Sequence, residues 1–100
     1  MLHMIVNTHS AESCAFRGRE EEEALAGAVK SFKDSAPEKR LNIQGWWVNR
    51  ASHEIFMLLD AANGHVIEQA LLDAGLVGRS HTRILPVVTV EDAAEEGDNR

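Results

Sequence analysis

"LNIQGWWVNRASHEIFMLLDA", Leu41 to Ala61, decides the architecture. Two apolar-rich runs, Leu41–Asn49 and His53–Ala61, are separated only by "RAS". So short a link closes nothing but a hairpin, so two antiparallel strands are expected. Neither the second run nor "ILPVVTV" near the C-terminus has the alternation of a sheet with one wet face. "IFMLL" is apolar throughout, and adjacent Trp46 and Trp47 must point to opposite faces of a strand. The sheet therefore carries large apolar side chains on both faces.

On the N-terminal side, "REEEEALAGAVKSFKDS" (Arg19–Ser35) places Leu25, Ala28, Val29 and Phe32 at helical spacing. Its glutamates crowd the start and Lys30 and Lys33 lie near the end, as the helix dipole favours. Pro37 stops it. Before it, "LHMIVNTH" (Leu2–His9) reads as a strand. On the C-terminal side, "GHVIEQALLDAG" (Gly64–Gly75) reads as a helix. Asn63 is its expected N-cap and Gly75 its C-cap. "TRILPVVTV" (Thr82–Val90) is the last strand, and Pro86 sends it to a sheet edge. Residues 91–100, "EDAAEEGDNR", read as an acidic, mobile tail beyond one domain of residues 1–90.

The order β-α-β-β-α-β predicts an α+β, ferredoxin-like fold. Two right-handed crossovers joined by a hairpin give a four-stranded antiparallel sheet of order 4-1-3-2, with both helices on one face. The helices cover one apolar face. The expected cover for the other is a second copy of the same sheet, making a homodimer. The competing reading is a monomer with an open, ligand-lined sheet.

Composition narrows the function classes. One hundred residues suit a single core, and the net charge of -6 with scattered basic residues argues against a nucleic-acid surface. One Cys, Cys14, excludes an intrachain disulfide. No apolar run approaches the roughly 18 residues of a membrane span, and the start of the chain lacks a signal-peptide pattern. A cytoplasmic location, with no membrane partner, is the expectation.

In this topology His9 ends strand one, His53 begins strand three and His81 precedes strand four, all at the same end of the sheet. Cys14 follows in the loop entering the first helix. Imidazole and thiolate suit Zn²⁺, Ni²⁺, Cu or Fe²⁺, so His9, Cys14, His53 and His81 form a candidate metal site. The bland alternative is a set of rim histidines beside a half-buried thiol. The alternative function is a cofactor-independent enzyme, of isomerase or monooxygenase type. It would act on a small aromatic or lactone substrate between sheet and helices. Its pocket would be lined by Met4, Phe56, Met57 and one of Trp46 and Trp47, with a His as general base. Asp60 is a further candidate base, or a loop cap. The four glutamates Glu20–Glu23 read as a solvated first turn, because consecutive helical residues fan around the axis. A purely structural or interaction module is the third reading.

The chain resembles the dimeric α+β barrel superfamily over about residues 2 to 90. The resemblance rests on element order, two-faced strands, "THSAESC" after strand one and "HEIFMLLDA" in strand three. It looks closest to small, poorly characterised branches. It implies sheet-to-sheet pairing of two ferredoxin-like subunits. The superfamily holds muconolactone isomerases, cofactor-independent monooxygenases, haem-degrading enzymes and metal-binding members, so it implies no single activity.

Overall fold

A computed structural model describes residues 1–10, 18–76 and 80–98. The elements are β1 (Leu2–His9), α1 (Arg19–Ser35), β2 (Asn42–Asn49), β3 (Glu54–Asp60), α2 (Gly64–Ala74), β4 (Ser80–Pro86) and α3 (Val90–Asp98). The strands form one antiparallel sheet of order β2-β3-β1-β4. This is the expected 4-1-3-2 order read from the other edge, and β4 with its Pro86 is an edge strand.

Register assigns the two faces. Ile5 lies opposite Met57 and Ile84, and His3 opposite Leu59. These residues share the face that the helices cover. Phe32 of α1 and Ile67, Ala70 and Leu71 of α2 pack there with Ile5, Met57, Leu59 and Leu41 as the buried core. Phe32 and Trp46 meet edge to face, with ring centres 5.4 Å apart. The other face carries Met4, Val6, Phe56, Leu58 and Leu85, which are partly exposed.

A bulge between Ile43 and Gly45 changes the parity of β2. Ile43 lies opposite Leu59, yet three residues on Trp46 lies opposite Met57, on the same covered face. Trp47 takes the other face, opposite Phe56. Its ring lies so close to Gly45 that a Cβ there would overlap it.

The caps of α2 are as expected. Asn63 Oδ1 accepts from the Val66 amide, and Gly75 adopts φ 75° to close the helix. The C-terminal end departs from expectation twice. β4 ends at Pro86, not Val90, because β1 starts at Leu2 and the ladder runs out there. The Val87 amide makes a last bond to the Leu2 carbonyl. The segment read as a tail then forms α3. Thr89 caps it, its Oγ1 accepting from the Asp92 amide at 3.1 Å.

Candidate functional site

The hairpin and the end of β1 build the site. Asn49 Oδ1 accepts from the Ser52 amide, turning the chain, and His53 closes the loop in the left-handed region at φ 56°. The His9 amide then donates to the His53 carbonyl at 3.1 Å, which continues the β1–β3 ladder by one step. The two imidazoles stand side by side, centres 5.5 Å apart and planes at 71°.

His9 Nε2 and His53 Nδ1 are both buried, and among the described residues neither has a hydrogen-bond partner. Leaving a buried polar atom unpaired costs about 1–3 kcal/mol, so two adjacent ones are unusual. Burial first, and then the neighbouring His53, hold the His9 imidazole below its ordinary value. His9 is thus neutral at pH 7, the form that binds a metal ion or accepts a proton.

The other candidates separate. His81 lies opposite Thr8, so it belongs to the face that His9 does not share, and it is exposed. Element order brought His81 to the correct end of the sheet, but strand parity turns it away from the pair. Cys14 lies outside the described residues. Among the described residues no group of three His, Cys, Asp or Glu is gathered around a common point.

Beside His9 opens a cavity of about 500 Å³ between the sheet and the helices. Ile5, Ile55, Met57 and Trp46 line its floor, and Leu25, Ala28 and Val29 of α1 its roof. Of the expected pocket residues, Met57 and Trp46 are in place. Met4 and Phe56 are not, because register puts them on the opposite face. Trp47 reaches the rim but is 54% exposed. Glu21 turns toward the cavity, whereas Glu20, Glu22 and Glu23 are solvated as expected. Asp60 is no base with a raised pKa. The chain's amino group bonds its carboxylate at 2.6 Å and holds it below the usual carboxylate range.

Sequence reasoning missed one polar group inside this cavity. Asn7 Nδ2 donates to Ser80 Oγ at 2.8 Å and to Thr82 Oγ1 at 2.9 Å. These residues are more than 70 positions apart, and only the β1–β4 register joins them. The available signal was the alternation Ile5, Asn7, His9, which puts Asn7 on the covered face of β1.

Fold and site together define a ferredoxin-like α+β domain with a histidine pair at the mouth of an apolar cleft. The chain belongs to the family described as Domain of unknown function (DUF3303), whose model matches residues 1–98. No curated protein matches it. Among solved structures it is similar to SCO4226 from Streptomyces coelicolor A3(2), at 14% identity and a TM-score of 0.52. The match covers 87% of this chain and 99% of that one. At that identity the likeness concerns the fold.

Proposed function

We propose that the protein is a homodimer of the dimeric α+β barrel kind that binds a divalent transition-metal ion through His9 and His53. The observation that carries this reading is the pair of buried nitrogens, His9 Nε2 and His53 Nδ1, that have no partner among the described residues. Two imidazoles that each approach one tetrahedral ion at about 2.0–2.1 Å hold their ring centres about 5 Å apart. The observed 5.5 Å matches that spacing. The depressed pKa of His9 supplies the neutral ligand that a metal requires.

Two imidazoles leave further coordination positions. Cys14 follows His9 by five residues, which span up to about 17 Å when extended, so chain length permits its thiolate as third ligand. Imidazole with thiolate favours Zn²⁺, Ni²⁺, Cu or Fe²⁺ over Mg²⁺ or Ca²⁺. His81 is left out of the set by its parity.

Metal content of the purified protein, followed by calorimetric titration of the stripped protein with Zn²⁺ and Ni²⁺, tests the reading. Stoichiometric binding that falls at least tenfold in both His9→Ala and His53→Ala is expected. Binding unaffected by either substitution, or no binding at all, ends it.

A further inference from the structure

The apolar stripe of α1 does not lie flat on the sheet. Phe32, near the C-terminal end, is the one buried residue of the helix. Leu25, Ala28 and Val29, within two turns before it, are only half-buried and roof the cleft instead. Protein interiors are close-packed, so about 500 Å³ between this stripe and Ile5, Met57 and Trp46 is room for a molecule with an apolar body.

The side chains around the cleft do not by themselves choose that molecule's polar head. Glu21 and Lys33 both line it, with opposite charges, about 18 Å apart along the axis of α1. The Glu21 carboxylate folds back over Gly18. Asn7, Ser80 and Thr82 bond to one another. His9 differs from all of these. It lines the cleft, and its Nε2 is one of the two buried nitrogens of the histidine pair. An ion held on that nitrogen stands at the cleft wall. Two neutral imidazoles, or two with the Cys14 thiolate, leave a four-coordinate divalent ion at least one open position and net positive charge. Such an ion selects an anionic oxygen donor over a neutral one.

We infer that the histidine pair and the cleft are one composite site, which takes a ring compound with an anionic oxygen donor on the ion and its apolar body against Trp46, Ala28 and Val29. The site so defined rests on the metal reading above and adds to it the class of ligand. The cavity admits a body of one or two rings.

The test is calorimetry on the protein stripped of metal and on the same protein loaded with Zn²⁺, using three probes. 2-Naphthohydroxamate has both rings and a chelating anion, 2-naphthamide the rings alone and acetohydroxamate the chelating anion alone. On the Zn²⁺-loaded protein 2-naphthohydroxamate is expected to bind more tightly than 2-naphthamide. It should also bind at least about tenfold more tightly than acetohydroxamate, the lower end of what burying an aromatic side chain contributes. On the stripped protein its advantage over 2-naphthamide should vanish. Ala28→Phe fills the cleft from its roof and should erase the advantage of the rings. Zn²⁺ and acetohydroxamate should bind that variant as before, which reports an intact fold. Failure of Zn²⁺ to bind the wild-type protein ends the metal reading and the composite site together. Stoichiometric Zn²⁺ with no advantage for the rings leaves the metal reading standing and overturns the composite site alone. Equal binding of 2-naphthohydroxamate to stripped and loaded protein overturns it too, since the head is then not on the ion. So does a ring advantage unchanged in Ala28→Phe.

Discussion

His53 holds a left-handed backbone and supplies half of the histidine pair, so its two roles can be separated by substitution. A non-glycine residue in that region costs about 1–2 kcal/mol, of which added freedom in the unfolded chain returns about 0.4–1. His53→Gly should therefore keep or raise thermal stability while abolishing metal binding. His53→Ala should lose the metal and keep the strain, and thermal melts of the two variants beside calorimetry check both halves. The pH dependence follows from His9. Its imidazole is harder to protonate folded than unfolded, so the unfolded chain binds the proton first. Its contribution to stability is complete above the ordinary imidazole value of about 6.5 and is lost as pH falls through the lowered folded value. Metal affinity should fall over the same window, below about pH 6, in titrations repeated at pH 5.5 and 7.5. Element order was enough to read His9 and His53 onto one end of the sheet. Side-chain direction was not legible for His81, nor was the Asn7–Ser80–Thr82 group, because both depend on the pairing register of β1 with β4. No local pattern encodes that register.

At the scale of elements, sequence and structure agree where a periodic stripe and a terminal signal coincide. α1 runs over Arg19–Ser35 as read, and α2 is bounded by the Asn63 and Gly75 caps. The bulge in β2 was not legible, because Gln44 looks like any alternating polar residue until its partner strand is known. α3 failed for a different reason. Its acidic, apolar-poor composition suggested disorder, yet "TVED", Thr89–Asp92, has the Ser/Thr-x-x-acid form of a helix start. The two helix ends make opposite predictions. Gly75→Ala forces a side chain into φ 75° on a helix packed against the core, and should cost about 1–2 kcal/mol, or several degrees in the melting temperature. Thr89→Ala removes the cap from a helix whose residues Val90–Glu96 are all exposed. It should lower the helical circular-dichroism signal by part of one short helix and leave the melting temperature unchanged. A cooperative loss of stability in Thr89→Ala would show that α3 is packed in the native molecule.

As a whole molecule the chain is one sheet under one layer of helices. Its shortest dimension is 18 Å, which is one sheet and one layer of helices. Its longest is 52 Å, and its radius of gyration of 15.0 Å exceeds the roughly 13 Å of a compact chain this size. A single chain of this shape leaves one sheet face open. Met4 sits on β1 between Leu58 of β3 and Leu85 of β4, with Val6 and Phe56 next along the same strands. That contiguous apolar surface is of the kind that pairs with a second copy, and a twofold contact would bring the two Met4 side chains near the axis. Light scattering at tens of micromolar should then give about twice the 11.0 kDa chain mass. The melting temperature should rise with protein concentration, because dimerisation stabilises the folded state by mass action. Met4→Lys places a charge at the centre of this face from each protomer, so it adds mutual repulsion to the cost of burying an ammonium. The substituted residue is outside the core, so the variant should stay folded, run at the single-chain mass and melt at a temperature independent of concentration. Its histidine pair lies on the opposite face at the far end of β1, so metal binding should survive. A wild-type chain that scatters as an 11 kDa monomer, or a Met4→Lys variant that keeps the doubled mass, would falsify the sheet-to-sheet dimer.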